Sequence, residues 1–382
     1  MTPDTLHQGA TLGDLFARAA HRFAEREALV AEGKRWTYAE LADRVARMGA
    51  VLRRQGLRPG DAISILSHNK ADVLVAYLAA MVEGLRLTPL AALSSAADQA
   101  FILNDAEIDA LVIDSALAAN AATLQSQAPR LKFVFTLGPT NVAPDLTALT
   151  DSEPPQPLEV KPPASDITMI YYTGGTTGRP KGVVHTHSSA MATVMMSGSE
   201  WEWPQDLRFL ATTPVSHAAG AFAWPTLLKG GTFHALSAFS ARAFAEYVAR
   251  EKITATFLVP TAIYRLLDEP GLDAAQLASL QTIVYGAAPM APANLAGFQG
   301  VSFWTKGDGR SYELMLFATR LGRMPAVKNF TAGPEWTQVT VPFSELSLDG
   351  SDILGIFLGG GPALGTFRFQ VDEVRLVPKD GS

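Results

Sequence analysis

Short apolar runs alternating with stretches of helical period constrain this chain more than any other feature. Thr37 followed by Glu40 marks a capping box, and Leu41, Val45, Met48 and Leu52 recur at helical spacing until Gly56 and Pro59 stop them. Apolar runs at 62–66, 86–90, 111–113 and 133–135 read as buried strands, with helices expected over 71–82 and 96–103. Alternation of this kind implies βαβ units and a mostly parallel sheet. Strands are predicted again at 167–172, 183–186, 209–212, 232–236, 256–259 and 282–285, with helices over 189–196, 241–251 and 261–267. In such sheets a ligand sits at the carboxyl ends of the strands. Between the two α/β stretches, seven prolines in 139–166 (Pro139, Pro144, Pro154, Pro155, Pro157, Pro162 and Pro163) read as a surface connection.

After residue 295 the period changes. Runs at 301–305, 311–318, 336–341, 353–358 and 366–377 are β-branched or aromatic, and Gly307-Asp308-Gly309, Gly333-Pro334 and Asp349-Gly350 punctuate them as turns. Phe367, Phe369 and Val371 alternate with Arg368 and Gln370, which buries one strand face. The expected organisation is an α/β fold in two subdomains, 1–165 and 166–295, followed by an all-β sandwich fragment over 296–382.

Composition narrows the function classes. The balance of 48% apolar and 18% charged residues is that of a globular domain, and a net charge of −6 disfavours nucleic acid as a partner. No cysteine is present, which removes disulfides, thiolate metal sites and cysteine nucleophiles. Residues 1–10 lack a basic region followed by an apolar stretch, and the longest apolar segment, 73–82, is too short to span a bilayer, so a cytoplasmic location is expected.

The chemistry is concentrated between two apolar runs, in Thr173-Gly174-Gly175-Thr176-Thr177-Gly178-Arg179-Pro180-Lys181-Gly182. Four glycines, three threonines and one lysine supply free backbone N–H groups, hydroxyls and a point charge, the needs of a polyphosphate. Neither the Walker spacing nor a dinucleotide-binding G-x-G-x-x-G is present. A G-x-S-x-G elbow and an H-E-x-x-H motif are also missing. His185 and His187 would share one strand face, but no third ligand accompanies them, so no metal site is expected. Trp201 and Trp203 read as edge packing.

This order of residues resembles the phosphate loop of the adenylate-forming superfamily, which includes acyl-CoA synthetases, luciferases and peptide-synthetase adenylation domains. The resemblance implies that Thr173, Thr176, Thr177 and Lys181 cradle the phosphates of ATP, with Gly174, Gly175 and Gly178 letting the loop close. Three further stretches match in order. Trp36 to Leu41 matches an early structural segment. In Thr213-Pro214-Val215-Ser216-His217-Ala218-Ala219-Gly220, family members place a His or aromatic residue at His217, beside the carboxylate substrate. Read alone, His217 fits a buried histidine bonded to a carbonyl. Tyr285-Gly286-Ala287-Ala288-Pro289 resembles the segment laid against adenine, which would give Gly286, Ala287 and Ala288 that role; a tight turn accounts for it equally well.

The resemblance implies an enzyme that uses MgATP to activate a small-molecule carboxylic acid and passes the acyl group to coenzyme A. It runs to about Leu295. The family's later magnesium-binding, ribose-binding and catalytic-lysine segments are not recognisable beyond that point, which would impair turnover. From Val301 to Tyr312, and again at Phe330, Trp336, Val341-Pro342-Phe343 and Val371-Asp372-Glu373-Val374, the chain is similar instead to complex I intermediate-associated proteins, a galactose-binding-like jelly roll. That half-domain would leave an apolar face and open edges. The alternative is therefore a fusion that binds nucleotide without catalysis and takes a protein or carbohydrate partner through its β fragment.

Overall fold

The computed structural model describes residues 9–173, 179–286, 297–322, 324–360 and 369–379. The chain divides into two compact units, Met1–Tyr285 and Gly286–Ser382.

Strands of the first unit are β1 (Glu27–Ala31), β2 (Lys34–Thr37), β3 (Ala62–Leu66), β4 (Arg86–Leu90), β5 (Ala110–Asp114), β6 (Phe133–Leu137), β7 (Ile167–Thr173), β8 (Lys181–Thr186), β9 (Arg208–Ala211), β10 (Thr232–Ala235), β11 (Ala255–Leu258) and β12 (Thr282–Tyr285). They form two six-stranded sheets, ordered β6-β5-β3-β4-β7-β8 and β12-β11-β9-β10-β1-β2. Each sheet is parallel except for its last strand, β8 or β2, which pairs antiparallel. The sheets are not consecutive in the chain: the β1–β2 hairpin completes the second sheet, and the β7–β8 hairpin completes the first. Connections reverse direction between β3 and β5, and between β9 and β11, the points at which such sheets open ligand crevices.

The helix Ala71–Glu83 is buried at every residue and belongs to one core with both sheets, through Ile63 and Leu87 on one and Leu29 and Phe209 on the other. Helices Ala96–Asp105 and Ala121–Gln127 cover the far face of the first sheet, and Ala241–Glu251 and Pro260–Leu267 cover that of the second. Parallel sheets need both faces covered, and the continuous apolar strands reflect this. The capping box at Thr37 is present, with its hydroxyl accepting from Glu40 N and the Glu40 carboxylate accepting from Thr37 N at 2.8 Å.

The proline-rich window departs from expectation. Within it Leu146–Ser152 is a helix with Leu146 fully buried, and the buried Glu153 carboxylate pairs with Arg54 at 2.5 Å. Lys161 Nζ reaches buried Glu83 at 3.0 Å. Buried carboxylates need such partners, and partners 78 and 99 residues away in the chain leave no local trace among the prolines.

In the second unit, β13 (Phe298–Gly307), β14 (Ser311–Ala318), β15 (Ala326–Thr331), β16 (Thr337–Pro342), β17 (Ile353–Gly360) and β18 (Phe369–Pro378) form two antiparallel three-stranded sheets, β16-β13-β18 and β15-β14-β17. Val301, Phe303, Tyr312, Leu314, Leu316 and Phe343 build a shared core, so the apolar faces close on each other rather than standing open. Burial alternates along β14, the period-two pattern of a sheet packed on one face. Strand β15 escaped the sequence reading because its apolar run is broken by Lys328 and Asn329 and only Phe330 is buried. Phe367 lies outside the described residues, while Phe369 and Val371 are half-buried as expected. Among the described residues no helix is long and apolar enough to cross a membrane.

Candidate functional site

Strand β7 runs parallel to β4 through the pair Leu87 and Met169, so Thr173 stands at a carboxyl end of the first sheet. Thr173 pairs with Lys181 of β8 and closes the hairpin base. Two anchors tie that base to the helix Ala96–Asp105. Tyr172 donates its hydroxyl to Asp105 at 2.5 Å, and the Arg179 guanidinium lies 5.8 Å from the Phe101 ring centre. Burial, and then the Asp105 carboxylate, push the Tyr172 phenol well above its ordinary range. Gly182 fits because a Cβ there would come within 2.9 Å of Ile170 and 3.1 Å of the Tyr172 ring. The Lys181 ammonium is exposed and makes no ion pair among the described residues. Gly174, Gly175, Thr176, Thr177 and Gly178, together with Ala287 and Ala288, lie outside the described residues.

The segment after β9 turns tightly. His217 N donates to Pro214 O at 3.0 Å, and Gly220 N donates to His217 O at 3.0 Å. A Cβ on Gly220 would stand 2.0 Å from the Val215 carbonyl oxygen, so no larger residue can replace it without moving the turn. This turn presents the His217 imidazole to a cavity rather than to a backbone carbonyl, and the ring makes no hydrogen bond to the described residues. The residue is exposed at the cavity mouth, and partial desolvation by the surrounding walls lowers its pKa below the ordinary imidazole value, so the ring is neutral at pH 7 and can donate from one nitrogen and accept at the other.

That cavity, about 420 Å³, joins Thr173 of the hairpin to His217 of the turn. Lys181 and Gly286 do not line it. Its walls also include residues the sequence did not single out, chiefly Phe222 and Trp224, together with Tyr171 and with His185, which the sequence had offered only as half of a metal pair. Trp201 belongs here too and is a cavity wall rather than edge packing, whereas Trp203 does pack locally and donates Nε1–H to Ser197 O at 2.8 Å. Phe222 is locked by stacking on Phe209 at 5.0 Å and on Phe257 at 5.3 Å, with Trp201 at 5.9 Å. Tyr171 meets His185 edge-on at 6.0 Å, and burial raises the Tyr171 phenol to about 12. The walls are mostly apolar with a few polar groups among them, the usual form of a site for a small organic molecule.

His185 and His187 do not share a strand face. A capping box between Thr186 and Ser189 ends β8, so His187 begins the helix His187–Glu200 and is fully buried. Among the described residues no group of three or more His, Asp or Glu is placed to hold a metal ion.

Residues 16–303 match the AMP-binding enzyme family. The chain belongs to this family. It is 38% identical over 292 residues to a medium/long-chain-fatty-acid–CoA ligase of Mycobacterium tuberculosis, covering 74% of this chain and 51% of that one. It is 34% identical over 291 residues to a feruloyl-CoA synthase of Amycolatopsis, covering 75% and 56%. The amide bond synthetase McbA of Marinactinospora thermotolerans superposes with a TM-score of 0.67 at 29% identity, over 75% of this chain and 56% of that one. The chain thus spans about half the length of the curated relatives it matches. Enzymes of the AMP-binding family work with ATP, magnesium and coenzyme A, and the mixed α/β unit with its parallel sheets has the architecture of their N-terminal domain.

Proposed function

We propose that this chain serves the activation of a carboxylic acid by ATP, as in acyl-CoA synthetases. A carboxylate oxygen attacks the α-phosphorus of ATP, the bond to the β-phosphate breaks, and acyl-adenylate and pyrophosphate result. The thiol of coenzyme A then displaces AMP and loses its proton. The observation that carries this reading is that one cavity is bordered by both Thr173 and His217. It sets an apolar space for an acyl group against the base of the phosphate hairpin. In this scheme Thr173, Thr176, Thr177 and Lys181 hold the phosphates, with Gly174, Gly175 and Gly178 giving backbone access. His217, neutral and without a hydrogen-bond partner among the described residues, orients the substrate carboxylate by donating one hydrogen bond, and Trp201 and Phe222 exclude water. Gly286, Ala287 and Ala288 lie against adenine.

ATP binding followed calorimetrically, with carboxylate-dependent pyrophosphate release beside it, tests this. Lys181→Ala removes one charge-assisted contact of roughly 1.5–3 kcal/mol, so ATP affinity is expected to fall about tenfold or more. ATP binding unchanged in Lys181→Ala would refute the assignment of the hairpin.

The separate core of the second unit favours a second reading beside the first. In it the β unit is a jelly-roll-like module, joined near residue 295 to the AMP-binding part, that takes a carbohydrate or protein ligand. Galactose-series glycans that raise the melting temperature when ATP and carboxylic acids do not would select this reading.

A further inference from the structure

The loop after β3 reaches across to the other sheet. Asn69 is buried, and its carboxamide makes three hydrogen bonds, all to the second sheet's side of the unit. Nδ2 donates to Thr213 O at 3.0 Å and to Leu236 O at 2.9 Å, and Oδ1 accepts from Val215 N at 2.8 Å. Thr213 and Val215 are in the turn that ends at His217, and Leu236 directly follows β10. One side chain therefore ties the loop leaving the reversal point of the first sheet to the segments leaving two neighbouring strands of the second.

Asn69 is itself held on both sides. Asp114, at the end of β5 and fully buried, accepts from Lys70 Nζ at 2.7 Å, lies 3.1 Å from His68 Nδ1, and accepts from Ala116 N at 3.0 Å. Both chain neighbours of Asn69 are thus pinned to one carboxylate. A carboxamide is the group this place requires, since two carbonyls and one N–H must be met at once. An aspartate would set an oxygen against two carbonyl oxygens.

We propose that Asn69 is a positioning residue for the His217 arm of the cavity, with Asp114 clamping the loop that carries it. This deepens, and rests on, the reading of the cavity as a carboxylate site. Asn69 touches no cavity space. It sets where His217 stands relative to Thr173 by fixing the turn two to four residues upstream.

The test is a double-mutant cycle on the full chain, with decanoate as the probe and calorimetric affinity as the readout. Asn69→Asp and Asn69→Ser are each made in the native and the His217→Ala backgrounds, with melting curves recorded for all. The expected result is about a tenfold weakening of decanoate binding by either Asn69 variant in the native background, and less than twofold once His217 is gone. Additive losses would show that Asn69 acts on the fold generally and would overturn the proposal. A second readout needs no ligand: His217 is exposed, and in the neutral Asn69→Ser variant its imidazole resonances are expected to shift, because the released turn no longer holds the ring in one place. Unmoved His217 resonances also overturn the proposal. Failure of the unmodified chain to bind any carboxylate refutes the carboxylate reading instead, and the His217 resonances then decide the positioning role by themselves.

Discussion

Mild acid is expected to destabilise the first unit through two histidines that have no part in the cavity. His187 and His234 are both fully buried. Neither ring nitrogen of His187 has a partner among the described residues, and His234 has only its Nδ1 contact with the Tyr247 hydroxyl at 3.2 Å. Burial is the main cause that lowers their pKa values from 6.5 to about 4 and about 3; for His187, Asp166 and Asp14 offset part of it. A histidine whose folded pKa is depressed binds fewer protons folded than unfolded. Its contribution is complete above pH 6.5 and is lost progressively as the pH falls toward the folded value. At pH 5 each ring costs about 2 kcal/mol, or about 4 kcal/mol together, against a typical total of about 5–15 kcal/mol. The paired carboxylates Asp109, Asp114 and Glu251 have lowered pKa values, so their losses come mainly at lower pH and leave the window from 5 to 6.5 to the histidines. The assay is urea unfolding followed by tryptophan fluorescence at pH 7.5 and 5.0, for the native chain and for His187→Leu. The variant is expected to lose about half as much stability across that interval. An equal loss in both proteins, or a His187 resonance that titrates near 6.5 in the folded state, would refute the reasoning.

Two further outcomes follow from packing around the cavity. Phe222→Ala removes the ring stacked between Phe209 and Phe257; it is expected to cost about 3–5 kcal/mol in urea unfolding and to weaken decanoate binding. Gly220→Ala sets a methyl group 2.0 Å from the Val215 carbonyl oxygen. Decanoate binding is expected to fall by at least tenfold while ATP binding stays within twofold, measured by calorimetry, because the displaced turn carries His217 and not the hairpin.

Much of the architecture could be read locally. The helix Ala71–Glu83, the buried strands β3 and β5 and the capping box at Thr37 all stand where apolar period and cap chemistry put them. Those signals depend on neighbours within a few residues, and the chain satisfies them wherever the element ends up. Readings that depended on distant partners went differently. The proline-rich window read only as a surface connection because Arg54 and Glu83, which receive it, lie far upstream. Trp201 and Trp203 are two residues apart in sequence, yet one faces the cavity and the other the helix His187–Glu200.

The amino-acid order by itself determined that this chain builds parallel α/β layers followed by a β-sandwich, and that a Gly/Thr/Lys hairpin stands at a strand end. Both follow from short-range chemistry: side-chain period, caps, and the backbone freedom of glycine. Only the tertiary structure decided that the hairpin belongs to one sheet and the His217 turn to the other, and that their carboxyl ends converge on one cavity holding Thr173 and His217 but not Lys181. That convergence rests on a buried helix shared by both sheets and on one asparagine bonded across them, contacts between residues about 150 positions apart for which local pattern carries no signal.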